Sequence, residues 1–302
     1  MSSGNLTADR RFAYAQMLRR DGDAEAAADV IAQALELAPA WPEGRFALAE
    51  TLAEAGRKYD AMAAYEAYLL LDPADSMGAS IKLALLGAGV PPAMPEAYIK
   101  RLFDEYAPRF DKALVEKLNY RAPEILRAAL ERVQPDSVFA RVFDLGCGTG
   151  LAGVALRPRA TWLGGVDLSP VMIKHAGRKA LYDFLIAGDM VAALNDLETP
   201  CDLIVAADVL TYVGDLTTVF EATRQRLISG GLFAFTVQHD EGTSFSLGTE
   251  HRFNHGRGYI EKLATQTGFQ IKILENAVSR QEKGVDVPGL VAVLQTAPMP
   301  TA

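Results

Sequence analysis

The sequence predicts a helical N-terminal module followed by a doubly wound, mostly parallel α/β sheet. Three observations carry this expectation: a 34-residue internal period between Ala15 and Pro73, short apolar runs alternating with helical stretches from residue 137 onward, and a glycine-rich turn after the first of those runs. The chain has 302 residues, 50% of them hydrophobic. At about 150 residues per domain this is enough for roughly two domains with cores of their own.

The period pairs Ala15 with Ala49, Leu18 with Leu52, Gly22 with Gly56, Ala27 with Ala61 and Pro39 with Pro73. Each unit reads as helix, glycine-containing turn, helix and a proline stop. The small residues let helices approach closely, while Leu18/Leu52 and Ile31/Tyr65 form apolar faces that only a neighbouring unit can bury. A further helix is expected within 76–88. Pro91, Pro92 and Pro95 then disfavour the α region in the residues before them and place a joint near 89–95. Apolar residues at helical spacing (Ile99, Leu102, Phe103, Tyr106, Phe110, Leu114, Leu118) predict a helix over 96–118, and Ile125, Leu126, Ala129 and Val133 predict another over 121–133. Strands are expected at 141–145, 162–166, 183–187, 202–206, 231–238, 269–276 and 289–295. Helices at 151–157, 170–179, 189–196, 216–228 and 257–267 separate the first six. Near-continuous apolar strands with crossover helices make a parallel sheet covered on both faces. Residues 277–288 are too few for a parallel crossover, so the last two strands should pair antiparallel at one edge. The resulting scheme is a helical module over 1–90, a helical linker or cap over 91–135 and the α/β domain over 136–302.

Charge narrows the function. With 30 Lys+Arg against 38 Asp+Glu the net charge is −8, which gives no general attraction to nucleic acid or anionic membranes. No run of 18 apolar residues and no basic-then-apolar leader is present, so neither a membrane span nor secretion is expected. Cys147 and Cys201 are too few for a disulfide framework, and no Cys/His cluster has zinc-ligand spacing. A reduced, cytoplasmic setting without a metal is the expectation.

Residues 142–153 (VFDLGCGTGLAG) run from a strand through a glycine turn into a helix. Such a turn brings backbone N–H groups against a ligand because glycine has no Cβ to block approach. Gly148, Gly150 and Gly153 spell G-x-G-x-x-G, which alone suggests a dinucleotide site and a nicotinamide oxidoreductase. Against that, Asp144 stands just before the turn, where a carboxylate repels a pyrophosphate and suits a cationic ligand carrying an ammonium and a sulfonium.

The arrangement of Asp144, Gly146, Gly148 and Gly150 resembles the first motif of class I S-adenosylmethionine-dependent methyltransferases, whose fold is a Rossmann-like seven-stranded sheet. Residues 166–172 (VDLSPVM) are similar to the second-strand motif, with Asp167 lying 23 residues after Asp144. Residues 187–190 (AGDM), 201–213 and 230–235 resemble the third, fourth and fifth motifs. The resemblance implies that Asp144, Gly146, Cys147, Gly148 and Gly150 hold the methionine end, Asp167 both ribose hydroxyls and Asp189 the adenine amino group. Leu168, Met172, Met190 and Ala206 would be further cofactor contacts. The N-terminal period resembles a tetratricopeptide pair with a capping helix, although Tyr68 replaces the alanine kept as Ala34. The order of repeats, helical linker and methyltransferase core resembles bacterial methyltransferases with such repeats. Residues 102–111 resemble the cap helix of ubiquinone-type small-molecule methyltransferases, which makes Tyr106 a cofactor-side and Phe110 and Tyr120 acceptor-side lid residues, or else helix-packing aromatics.

Methyl transfer from a sulfonium needs alignment and exclusion of water, with at most a base for an oxygen or nitrogen acceptor. Topology places Asp208 after the fourth strand and His239 after the fifth, at the edge where ligands bind. His239 is either a general base or a surface histidine. Arg252, His255, Arg257 and Tyr259, within 251–259, form either a substrate loop suited to an anionic acceptor or a solvated basic loop; His255 is a further catalytic candidate. Met172 is an adenine contact or a core residue. The acceptor is then a small acidic or phenolic metabolite, or a protein docked on the repeats. The competing reading is a cofactor-binding scaffold without turnover.

Overall fold

The computed structural model describes residues 2–107, 110 and 118–297. The chain divides into two compact units, Met1–Pro91 with Pro95–Tyr98, and Pro92–Met94 with Ile99–Ala302.

The first unit is built from α1 (Leu6–Arg20), α2 (Ala24–Leu37), α3 (Pro42–Glu54), α4 (Lys58–Leu71) and α5 (Ala79–Leu85). Asn5 and Asp23 cap α1 and α2 by accepting from exposed N–H groups of the first turn. The 34-residue period has a physical basis. Ala15, Ala27, Ala49 and Ala61 are all fully buried where helices touch, and Gly22 and Gly56 both occupy the left-handed region in the turns that reverse the chain. Tyr68 breaks the pattern with a use of its own: it is buried, and its hydroxyl accepts from the Met77 N–H (3.0 Å) and donates to Asp72. A groove of about 290 Å³ between α3, α4 and α5 is lined by Glu50, Glu54, Tyr65, Lys82, Leu85 and Leu86.

The second unit is a sheet wrapped on both faces. After α6 (Glu96–Tyr106) and α7 (Ala122–Val133) come β1 (Phe139–Leu145), α8 (Leu151–Leu156), β2 (Ala160–Asp167), α9 (Pro170–Arg178), β3 (Phe184–Ala187), α10 (Met190–Asp196), β4 (Cys201–Ala206), α11 (Thr217–Arg226) and β5 (Leu227–Gln238). There follow β6 (Phe245–Gly248), β7 (Arg252–His255), α12 (Arg257–Gln266), β8 (Phe269–Ala277), β9 (Gln281–Glu282), β10 (Val285–Asp286) and β11 (Gly289–Thr296). Of the helix expected over 96–118, the part up to Tyr106 is described as helix; 108–109 and 111–117, with Leu114, lie outside the described residues.

The strand order is β3-β2-β1-β4-β5-β11-β8, with β11 antiparallel to both neighbours. Successive residues alternate between two cores, as the pleat requires. Val142, Leu203, Val205, Leu232 and Ala234 face α7 and α8, while Phe143, Ile204, Ala206, Phe233 and Phe235 face α10, α11 and α12.

Two expectations need correction. The sheet has nine strands rather than seven, because β6 and β7 form a hairpin that joins the end of β5 through Gln238 and Asn254; their residues lack the long apolar run that marks a buried strand. The last two long strands pair antiparallel at one edge as expected, with β8 outermost and the largely apolar, buried β11 between β5 and β8. The glycine pair Gly230–Gly231 lies inside β5, where the register against β4 shifts, and not before it. Among the described residues no helix is long and apolar enough to cross a membrane.

The interleaved boundary at 92–98 makes a prediction. A fragment beginning at Pro92 should unfold in one cooperative transition by circular dichroism, whereas a fragment beginning at Pro135, which lacks α7 and its buried Leu126 and Leu130, should not fold. Loss of Leu126 and Leu130 alone removes about 4–6 kcal/mol of burial.

Candidate functional site

Four strand ends line up along one edge of the sheet. Asp144 is in register with Gly165 of β2 and Val205 of β4, and Asp167 with Ala187 of β3. The acids that follow or end these strands, Asp144, Asp167, Asp189 and Asp208, are therefore brought to a common rim by hydrogen-bond register.

At the head of β1, Gly146, Gly148 and Gly150 all lie in the left-handed region (φ +63°, +54° and +90°). A Cβ on Gly146 would sit 2.2 Å from Val209 Cγ2, so the turn is pressed directly onto the loop after β4. Asp167 ties this turn to the next: its Oδ2 accepts from the Gly148 N–H and its Oδ1 from the Ser169 N–H, both at 2.9 Å. Burial raises the Asp167 carboxyl even though these two N–H groups favour its charged form. Each oxygen still has a lone pair for another donor. Asp189 caps α10 through the Ala192 N–H at 2.8 Å.

Asp144 is fully buried beneath the turn. Its Oδ2 accepts from the Tyr182 hydroxyl at 2.6 Å, and its Oδ1 has no partner among the described residues. Burial pushes its carboxyl up to about 7. The Tyr182 ring occupies the space that side chains on Gly150, Gly153 and Gly165 would fill. Gly153 thus serves packing. Cys147 is buried beside Gly165, and burial raises its thiol well above its ordinary value, which leaves no reactive thiolate. Met172 is fully buried, as a core residue is, whereas Leu168 and Met190 are part-exposed at the rim; Ala206 is buried within β4.

Aromatic side chains stand over the turn. Phe110 lies 3.6 Å from the Cβ position of Gly148 and packs edge-on against Phe103 and Tyr106, and Phe103 packs against Tyr212. Asp104 of α6 accepts from the Ser169 hydroxyl at 2.6 Å and fixes this cover beside Asp167. Phe110 thus packs against the glycine turn, and Tyr106 packs against Phe110.

The segment 251–259 is tied to the loop after β4 and to β8. His255 is fully buried; its Nε2 lies 3.0 and 3.1 Å from the Val213 and Gly214 carbonyls, which assigns the proton to Nε2, and its Nδ1 has no partner among the described residues. Burial lowers its basicity to about 4. It is a neutral donor that holds the loop after β4, and the expectation of a catalytic His255 is corrected on that ground. Tyr259 stacks on it and accepts from the Leu216 N–H at 2.8 Å. The Arg252 guanidinium lies over the Tyr212 ring at 4.3 Å. Arg257 donates to the Leu274 carbonyl and to Asn276 of β8, so it supports the sheet edge and not the rim. From the other side the same loop donates its Gly214 and Asp215 N–H groups to the Pro92 carbonyl. His239 is part-exposed, with Nδ1 3.0 Å from the His255 carbonyl.

This glycine turn, cross-bonded to the acid of the next strand under an aromatic cover, lies inside a region that comparison with known families identifies. Residues 143–233 match a methyltransferase domain. The chain is 33% identical over 103 residues to a ubiquinone biosynthesis O-methyltransferase of Xylella fastidiosa (strain 9a5c), covering 32% of this chain and 42% of the relative. It is 28% identical over 177 residues to a trans-aconitate 2-methyltransferase of Deinococcus radiodurans, covering 56% of this chain and 67% of the relative. The chain thus spans less than half the length of the first of these. A chain from the complex of the Haloferax volcanii Trm112 methyltransferase activator with a methyltransferase superposes with a TM-score of 0.51 at 20% identity, covering 65% of this chain and 97% of that one, which shows the fold.

Beside the glycine turn the second unit holds a cluster whose cation sequence reasoning missed. Asp208 adopts a left-handed backbone (φ +56°) and accepts from Arg280 at 3.2 Å, with side chains 10% and 7% exposed. Tyr120 donates to the Ala207 carbonyl at 3.3 Å, and burial, with Asp208 and Asp144 nearby, pushes its phenol well above its ordinary value. Arg280 stands in a segment that reads as loop in sequence, and its burial is a tertiary fact.

Two predictions follow from this geometry. Gly146→Ala should cost about 2–4 kcal/mol in urea unfolding, through the left-handed backbone and the clash with Val209. The second concerns pH. An unfolded-chain His255 takes up a proton near 6.5 and the folded one only near 4, so the unfolded state binds more protons between those values. The stability this residue contributes is complete above pH 6.5 and falls by up to about 3 kcal/mol as pH drops to 4. His255→Gln should remove that part of the pH dependence; Asp144, raised in the folded state, titrates in the opposite sense and is common to both proteins.

Proposed function

We propose that this chain is an S-adenosylmethionine-dependent methyltransferase acting on an oxygen or nitrogen acceptor. The observation that carries the reading is the Asp167 bridge: one carboxylate fixes the Gly148 N–H of the glycine turn and the Ser169 N–H of the next turn, at the rim of a sheet ordered β3-β2-β1-β4-β5-β11-β8. The residues present fit the cofactor. The left-handed Gly148 leaves space beneath Phe110 that a Cβ would narrow, and the buried, unpartnered Oδ1 of Asp144 suits a site completed by a cationic ligand.

In this reading Gly146, Gly148 and Gly150 face the methionine end, Asp167 accepts from the ribose hydroxyls and Asp189 from the adenine. Leu168 and Met190 flank the adenine, and Phe103, Tyr106 and Phe110 exclude water. Bound S-adenosylmethionine supplies an electrophilic methyl group on a sulfonium. Asp144, sealed under Tyr182, acts through the charge it presents beneath the turn. His239 and Asp208 remain the groups at the rim able to take a proton from an acceptor. The relatives named for ubiquinone biosynthesis and trans-aconitate are consistent with a small-molecule acceptor. We read the first unit as a tetratricopeptide pair with α5 as its cap, its groove at Glu50, Tyr65 and Lys82 being the place for a protein partner, and the setting as cytoplasmic.

Calorimetric titration with S-adenosylmethionine, S-adenosylhomocysteine and NAD tests this. Both sulfur ligands should bind and NAD should not. Asp167→Ala should weaken both by about 1–3 kcal/mol, with thermal unfolding checked in parallel because Asp167 also holds two backbone N–H groups. NAD binding without affinity for the sulfur ligands, or affinity unchanged in the folded variant, overturns the proposal.

A further inference from the structure

The Asp208–Arg280 pair is a buried polar arrangement at the rim that the cofactor assignment does not use. Asp208 accepts from Arg280 through Oδ2, while its Oδ1 is buried and has no hydrogen-bond partner among the described residues. Its own N–H donates to Thr236 Oγ1 of β5 at 2.9 Å, and its backbone is left-handed without being glycine. Strain of this kind persists where the surroundings over-determine it and collects at functional sites. The pair is enclosed by two segments, 118–121 and 279–281, which join through Arg121 N–H to Ser279 O and Gln281 N–H to Leu118 O, both 2.7 Å. Tyr120 and Arg280 come one from each segment. Position ties the pair to the cofactor side: Val209, the next residue, lies against Gly146.

A carboxylate oxygen buried without a donor is unfavourable. Charge balance limits what can supply the donor. Asp208 and Arg280 together are neutral. A second carboxylate would face Oδ1 and repel it; an ammonium would face Arg280. An uncharged hydroxyl donates to Oδ1 and leaves the pair neutral. The arginines that favoured an anionic acceptor in the sequence are engaged elsewhere, Arg252 over Tyr212 and Arg257 on β8.

We infer that Asp208, oriented by Arg280, is the acceptor-binding residue of this site and selects an uncharged hydroxyl, phenol or alcohol, through its unpartnered Oδ1. Arg280 is a positioning residue. Oδ1 is sealed from solvent without ligand, so occupancy involves a turn of the Asp208 side chain or parting of the two segments. The inference rests on the methyltransferase reading for the word acceptor, but the selectivity is a property of the pair itself.

The test is ligand-observed NMR titration of the full chain, with and without S-adenosylhomocysteine, using 4-methylphenol, its O-methyl ether 4-methylanisole, and 4-methylbenzoate. The wild type should bind the phenol about tenfold or more tighter than either analogue. Asp208→Ala should abolish that preference and raise affinity for 4-methylbenzoate, because Arg280 is left without its partner. Should Asp208→Ala fail to fold, Asp208→Asn, nearly isosteric but uncharged, should reduce the preference, since a neutral acceptor makes the weaker bond. Wild-type preference for the benzoate, no saturable phenol binding, or a preference that survives these variants overturns the inference. Failure to bind S-adenosylhomocysteine would instead overturn the methyltransferase reading, and the phenol preference is measured without it.

Discussion

The rim of the sheet depends on one immobilised loop, residues 208–216, and on the buried imidazole that holds it. His255 shares its Nε2 proton between the Val213 and Gly214 carbonyls, two acceptors that have no regular secondary structure to pair with. A buried carbonyl without a donor is costly, and a neutral histidine is a compact way to satisfy two at once. With the loop fixed, Val209 presses on Gly146 and Tyr212 meets Phe103. The shape of the glycine turn and the position of its aromatic cover therefore both derive from a residue that touches neither.

This dependence explains why the segment 252–259 looks functional. Arg252, His255 and Tyr259 each engage the loop after β4, through a ring face, two carbonyls and an N–H respectively. Polar residues at fixed spacing on one turn of chain are what a clamp requires, just as they are what a binding loop requires. The two uses differ in burial. Full burial, which lowers the basicity of His255 to about 4, belongs to the clamp.

Glycine has two distinct duties here. Gly146 and Gly148 permit close approach at the top of β1, by Val209 and by Phe110. Gly150, Gly153 and Gly165 instead make room for Tyr182, whose hydroxyl satisfies one oxygen of Asp144. A string such as G-x-G-x-x-G mixes these duties, and its letters do not separate a ligand cradle from a socket for a buried ring. Asp144, the acid just before the turn, is itself enclosed by that ring.

Periodicity alone determined the helical units, the alternation of strand and helix, and the glycine turn with its acids at strand ends, because these follow from local chemistry: buried alanines at a fixed repeat, apolar runs of strand length, left-handed glycines. Boundaries moved by a few residues, as at β5, where Leu227 and Ile228 read as the end of a helix but belong to the strand, Leu227 pairing with Cys201 of β4 ahead of a register shift. The insertion of β11, the β6–β7 hairpin, the clamp role of His255 and the burial of Arg280 against Asp208 were decided only by tertiary structure. Each depends on contacts between residues far apart in the chain, 42 positions for His255 to Val213 and 72 for Arg280 to Asp208, and no local pattern records which distant partner a polar side chain will meet.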